Sequence, residues 1–196
     1  MIMHKLVFDI ETDCLNATKI WCIVAQDADS GQLYKFAPHQ LESGLELLQS
    51  ADTLIGHNII GFDVPVVQRL ANVDLTTKKL GDTLVLSRFL NPIREGGHSL
   101  SMWGYHPAIN LSKIDFDDYS KYSKEMMDYC VRDVQVNKLV LDQLRKEARG
   151  FSKESIELEH AVGDIIKQQE VNGFEFNKPR SEKLLAELYK RMAEVE

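Results

Sequence analysis

The sequence predicts an α/β fold: a mixed sheet flanked by helices and followed by a short helical tail. Strand-length apolar runs crowd the first third of the chain, whereas apolar residues recur at helical spacing from about residue 119 onward. The first apolar run also ends in two carboxylates one residue apart, Asp9 and Glu11, within Lys5-Leu6-Val7-Phe8-Asp9-Ile10-Glu11-Thr12. A strand repeats every two residues, so both acids leave the same face. Leu6, Phe8 and Ile10 mark that strand for burial, and paired like charges at its end call for a cation or a proton.

Taken in order, strands are expected near 4–10, 20–26 and 32–36, with Asp29-Ser30-Gly31 as a hairpin turn. Residues 38–50 carry the helical period through Leu41, Leu45 and Leu48, and Thr53-Leu54-Ile55-Gly56 reads as a fourth strand. Asp63-Val64-Pro65 opens a helix, since proline is tolerated in a first turn. A three-strand meander, a helix, a strand and a helix form the opening of a ribonuclease-H-like fold. Residues 82–90 read as a short strand turning helical, Asn91-Pro92 and Glu95-Gly96-Gly97 as a loop, and 99–105 as a short helix. A long helix is expected over 119–149, broken by Gly150-Phe151-Ser152, with further helices over 153–171 and 178–196 joined at Asn172-Gly173-Phe174. The division expected is a catalytic domain over 1–150 and a helical segment over 151–196, whose last helix still has its pattern at Glu196, as in a truncated piece.

The chain has 196 residues, 44% hydrophobic and 27% charged, with no apolar run near the ~18 residues of a membrane span. Met1-Ile2-Met3-His4-Lys5 runs straight into the first strand, without the pattern of a secretory signal. Cys14, Cys22 and Cys130 are odd in number and contain no C-x-x-C pair, which argues against a disulfide framework or zinc cluster and fits a reducing cytoplasm. Net charge is −7; residues 1–150 hold 16 Lys and Arg against 20 Asp and Glu, a net of −4 that two divalent cations would cancel. Tight binding of long duplex, which needs many basic contacts, does not fit this balance, whereas engagement of a nucleic-acid end through metals does.

Asp63 follows a central strand in Asn58-Ile59-Ile60-Gly61-Phe62-Asp63, and Tyr129 and Asp133 share one helix face at i and i+4. Asp9, Glu11, Asp63 and Asp133 therefore come from a strand end, a helix start and a helix face, three places that a ribonuclease-H-like fold brings to one cleft. Four carboxylates without Cys or His ligands select hard cations, Mg²⁺ or Mn²⁺. Two such ions about 3.5–4 Å apart can clamp a phosphodiester, one activating the attacking water and the other stabilising the leaving oxygen.

In order and spacing, Phe8-Asp9-Ile10-Glu11-Thr12, Asn58-x4-Asp63 and Tyr129-x3-Asp133 resemble the three motifs of the DEDD 3′→5′ exonucleases. Tyr129 stands four residues before the last Asp, as in the tyrosine subclass, while the position five before it is Asp128 rather than the His of the other subclass. Gly56-His57-Asn58, Phe62-Asp63-Val64-Pro65, 82–88, His98-Ser99-Leu100, Trp103-Gly104-Tyr105 and Met126-Met127-Asp128-Tyr129 resemble the N-terminal proofreading domain of bacteriophage T7-like family A DNA polymerases. Glu159-His160 through Asn172-Gly173-Phe174 is similar to the start of the thumb of those enzymes. Palm and fingers have no counterpart, so polymerase activity is not expected of this chain.

The resemblance implies a metal-dependent exonuclease that releases nucleoside monophosphates from the 3′ end of single-stranded or frayed DNA, with a polymerase domain of the same or a companion chain as partner. It implies no membrane partner, and a cytoplasmic location, that of the bacterial host if phage-encoded. It implies that Asp9 bridges two metals, that Glu11 and Asp133 complete the first site, and that Asp63 serves the second through water. Tyr129 would orient the nucleophilic water, with a phenol near its ordinary value of about 10. Thr12, Leu15, Asn58 and Phe62 fall at substrate-binding positions. Leu15 either wedges between terminal bases or is core; Phe62 either stacks on a base or packs beside a helix start; Asn58 either bonds the terminal sugar or braces the strand end. His57 reads as structural, Asp82 as a brace of its own turn, and Arg132 and Lys124 as solvated charges. Two other readings remain: a free-standing ribonuclease-D-like exoribonuclease and a non-catalytic nucleic-acid-binding module.

Overall fold

The computed structural model describes residues 4–195. It divides after Ile165 into two compact units. The first unit holds a five-stranded sheet in the order β3-β2-β1-β4-β5. β1 (Lys5–Thr12), β2 (Ile20–Asp27) and β3 (Leu33–Phe36) form the antiparallel meander expected from the sequence. β4 (Thr53–Gly56) and β5 (Lys79–Asp82) add to β1 in parallel. The sheet is mixed and flanked by helices, a ribonuclease-H-like arrangement.

The two faces of β1 explain the layers. Leu6, Phe8 and Ile10 point to one side, where Ile23, Ala25 and Leu54 meet α1 (Leu41–Ser50) and α2 (Asp63–Ala71). Val7 points to the other, where Cys22, Val24 and Ile55 meet Met126, Cys130, Val134 and Leu141 of α5 (Lys124–Glu147). Asp9 and Glu11 share the face of Val7 and so look toward α5. The far side of α5 packs Val136, Val140 and Leu144 on Leu100 and Trp103 of α4 (Leu100–Tyr105). A helix buried along both sides is a rigid platform for whatever its end presents.

Two boundaries differ from the sequence expectation. The segment at 82–90 holds only the last residue of a strand: β5 ends at Asp82, and α3 (Thr83–Leu90) starts directly after it. Asp82 is the N-cap, accepting from the N–H groups of Leu84 and Val85, and a cap of this kind sets a helix start sharply. The short edge strand Lys79-Leu80-Gly81-Asp82 carries little apolar signal, which hid it. α5 begins at Lys124 rather than 119, because the Ser123 hydroxyl caps it by accepting from Met126. Residues 106–123 between α4 and α5 have no helix or strand.

α6 (Lys153–Asn172) begins in the first unit, where His160 Nε2 accepts the main-chain N–H of Asp82 at 2.9 Å. The second unit contains the end of α6 and α7 (Lys178–Val195), the latter capped by Asn177. Gly173, at φ 65°, supplies the left-handed residue that ends α6. The continuation of α7 expected at Glu196 lies outside the described residues. Among the described residues no helix is long and apolar enough to cross a membrane.

Candidate metal centre

β1 carries Asp9 and Glu11 beyond the reach of β4, whose pairing with β1 ends at Val7. Past that point the N–H of Ile10 lacks a strand partner on this side, and Oδ1 of Asp63 accepts it at 3.2 Å. The first residue of α2 is thereby fastened between the two acids of β1. From the other side α5 brings Cys130, whose Sγ lies 3.5 Å from Oδ2 of Asp9, and Asp133 one turn further on. Among the described residues, one ligand atom each of Asp9, Glu11 and Cys130 falls within 4.8 Å of the others. Glu11, Asp63 and Asp133 are buried and Asp9 is half-buried. Asp63 and Asp133 lie outside that trio but near enough to interact with Asp9 by charge, so all four acids singled out in the sequence act on one another.

Their electrostatics follow from crowding. Burial, and then the charge of Asp133, pushes Asp9 up to about 7. Burial, and then the charge of Asp9, pushes Glu11 up to about 10. Asp63 is raised by burial first and by Asp9 second. Asp133 is also raised by burial, with the ammonium of Lys113 opposing the rise. Oδ1 of Asp133 is buried and has no hydrogen-bond partner. A set of buried carboxylates that repel one another, with an oxygen still unpartnered, fits hard divalent cations in donor type. Cys130 belongs with the acids by position only. Burial holds its thiol well above the ordinary range, so it donates S–H toward Asp9 and steadies that carboxylate.

Tyr129 precedes Asp133 by one turn and departs from the sequence expectation in its acidity. Burial first, then the charge of Asp133, raises the phenol above its ordinary value, so it stays protonated. Its ring packs on Phe116, with centroids 5.5 Å apart.

The four expected substrate-binding residues fare differently. Leu15 is 91% exposed in the turn after β1, which removes the core reading. Phe62 is half-buried and packs against the core under α2. Asn58 is exposed, at a left-handed φ of 67°, and its carbonyl accepts from Gly61 and Phe62. A Cβ at Gly61 would come within 2.4 Å of the Asn58 amide oxygen, so the Asn58 side chain would have to shift to admit one. Thr12 is buried, and its hydroxyl donates to the carbonyl of Cys14 in its own turn.

Asp82 does more than cap α3. The same carboxylate accepts the N–H groups of Asn58 and Ile60, so one buried acid fixes both the start of α3 and the loop leading to Asp63. His57 Nδ1 lies 2.9 Å from the Thr83 hydroxyl, a structural partner. Arg132 is not simply a solvated charge: its Nη1 donates to the carbonyl of Ser112 at 3.0 Å. Lys124 is exposed.

Sequence reasoning missed Lys113. Its ammonium lies 2.5 Å from Oδ2 of Asp133 and donates to the Tyr129 hydroxyl at 2.8 Å. It comes from the irregular segment 106–123, and no local pattern in Leu111-Ser112-Lys113-Ile114 announces the role.

No model of a known protein family matches the chain. The DNA-directed DNA polymerases of Enterobacteria phage T3 and Escherichia phage T7 are 27% and 26% identical to it over 252 aligned positions, covering 97% of this chain. The chain spans about a third of those relatives, 36% of each. Among solved structures, Brucella melitensis NrnC, determined with bound pGG and with bound Mg²⁺, matches 87% of this chain. Its TM-score is 0.64 at 18% identity, and the match covers 86–87% of NrnC. Escherichia coli RNase D, an exoribonuclease involved in structured RNA processing, has a TM-score of 0.61 at 18% identity, over 85% of this chain and 45% of its own. The chain resembles T7-type polymerases in sequence and DEDD exonucleases in fold.

Proposed function

We propose that this chain is a metal-dependent 3′→5′ exonuclease that releases nucleoside monophosphates from the 3′ end of single-stranded or frayed DNA. The observation that carries this reading is the convergence of Asp9, Glu11, Asp63 and Asp133, each carboxyl raised in pKa by burial, and Asp9, Glu11 and Asp63 raised further by neighbouring carboxylates. These four acids would hold two divalent cations, Mg²⁺ or Mn²⁺. When bound, such a pair supplies activation of water and stabilisation of the leaving 3′ oxygen.

The chain's own residues do the rest. Asp9 would be the central ligand, steadied by the thiol of Cys130. Asp63 is immobilised by the Ile10 N–H, which fixes where the second cation would sit relative to β1. The raised phenol of Tyr129 keeps its proton, so it orients the attacking water through a hydrogen bond and does not act as a base. Asn58 is exposed in the loop before Asp63 and would bond the terminal sugar, and the exposed Leu15 would wedge beside the last base. Phe62 and Thr12 would contribute to substrate binding from the start of α2 and the end of β1. A polymerase domain, of this or a companion chain, would be the source of such a 3′ end.

The test is a 5′-labelled single-stranded DNA with Mg²⁺. A ladder of products shortened one nucleotide at a time from the 3′ end, absent with EDTA and with Asp9→Ala, is expected. No metal-dependent shortening, or equal shortening by the variant, contradicts the reading. The fold likeness to RNase D favours a second reading, an exoribonuclease with the same chemistry. A matched RNA oligonucleotide degraded faster than the DNA would select it.

A further inference from the structure

Lys113 is delivered to the acids by a segment without regular structure, yet its backbone is clamped on several sides. The Leu111 N–H donates to the carbonyl of Gly104 at 3.1 Å. Gly104 permits this approach, because a Cβ there would come within 2.9 Å of the Leu111 carbonyl oxygen and 3.2 Å of Ser112 Cα. Arg132, the neighbour of Asp133 on α5, donates to the Ser112 carbonyl from the other side. Three residues on, Phe116 sets its ring against Tyr119 and Tyr129, with centroids 5.0 and 5.5 Å away. The lysine is therefore built into position, and its ammonium reaches one oxygen of Asp133 while the other oxygen stays buried and unpartnered.

An ammonium and a divalent metal at one carboxylate repel each other. We propose that the Lys113 ammonium is a resident counter-cation of the acid cluster, which an incoming divalent ion must displace from Asp133, so that Lys113 sets how tightly the metal binds. The displaced ammonium keeps a second partner, the Tyr129 hydroxyl 2.8 Å away, and the clamped segment need not open. The lysine thus relieves carboxylate repulsion in the metal-free protein and passes that role to the metal. This inference rests on the reading of the four acids as a divalent-cation site.

The experiment is Mn²⁺ binding to the full chain without nucleic acid, followed by electron paramagnetic resonance of free Mn²⁺. Lys113→Met is expected to bind at least about tenfold more tightly than wild type, because a neighbouring positive charge has gone. Lys113→Arg, which keeps the charge, is expected to stay within about threefold of wild type. In the unaltered protein, Lys113 is expected to react faster with acetic anhydride once Mn²⁺ is added, read by peptide mass spectrometry, and this arm holds even where the Met variant fails to fold. Equal or weaker binding by Lys113→Met, or an unchanged acetylation rate, overturns the role of Lys113 while leaving the metal site standing. No Mn²⁺ binding by wild type or variant overturns both.

Discussion

Oδ1 of Asp63 accepts the main-chain N–H of Ile10 at 3.2 Å, tying the first residue of α2 to the strand between Asp9 and Glu11. One carboxylate thus serves as a structural acceptor and as a candidate ligand. The two roles separate on substitution. Asp63→Asn keeps an acceptor oxygen for Ile10 and removes a charge raised in pKa by burial and by Asp9. Its thermal midpoint is expected to equal or exceed that of wild type, whereas exonuclease rate falls by about 100-fold or more, as for a lost metal partner. Calorimetry beside the labelled-oligonucleotide assay checks both.

The metal-free protein is expected to lose stability as pH rises. Asp9, at about 7, and Glu11, at about 10, bind protons in the folded state that their unfolded forms have released by about pH 5. Folded protein therefore holds more protons than unfolded, and its advantage declines between about pH 4 and the raised values. Thermal melts in EDTA from pH 5 to 9 should show a falling midpoint, and millimolar Mg²⁺ should reverse the fall at the alkaline end. A flat profile in EDTA would contradict the crowding described for the four acids.

His57 predicts the opposite slope at acid pH. Burial first, and the charge of Lys113 second, push it down to about 4. The stability it contributes is full above about pH 6.5 and is lost as pH falls toward 4, on the order of 2–3 kcal/mol in total. His57→Gln, which retains a hydrogen-bonding group toward Thr83 and does not titrate, should lose less stability than wild type between pH 7 and pH 4.5. Equal losses would refute the assignment.

Leu15 is exposed and makes no core contribution, so Leu15→Ala should leave stability within about 0.5 kcal/mol of wild type. If the side chain wedges beside terminal bases, binding of single-stranded DNA should weaken by about 1–3 kcal/mol, the usual worth of such a contact. Fluorescence anisotropy with Ca²⁺ in place of Mg²⁺ measures this without turnover.

Arg94 forms a two-pronged ion pair with Glu147 and stacks 4.1 Å over Trp103, joining the loop after α3 to the end of α5. Glu147→Ala leaves the buried guanidinium without its partner and should destabilise the fold by about 3 kcal/mol. Urea melts of wild type and variant measure it, and Arg94→Met, which fills the space without a charge, should cost less.

Much of the fold and of the acid cluster is legible in the sequence. The period of two along Leu6 to Glu11 announced both a buried strand and the shared face of its acids, and the i, i+4 pair Tyr129 and Asp133 announced a helix face. These signals survive because they are local repeats. Lys113, Cys130 and the double duty of Asp82 left no such trace, since each acts on residues distant in the chain through a contact that only tertiary packing creates. β5 was hidden for a different reason: four residues at a sheet edge, Gly81 among them, carry no alternation to read.

Anomalous diffraction from crystals soaked in Mn²⁺ tests most directly whether the four acids form a divalent-cation site. Two strong peaks are predicted among the carboxylates of Asp9, Glu11, Asp63 and Asp133, with the Lys113 ammonium withdrawn from Asp133. Crystals that show no peak there, with Lys113 still paired to Asp133, would contradict it.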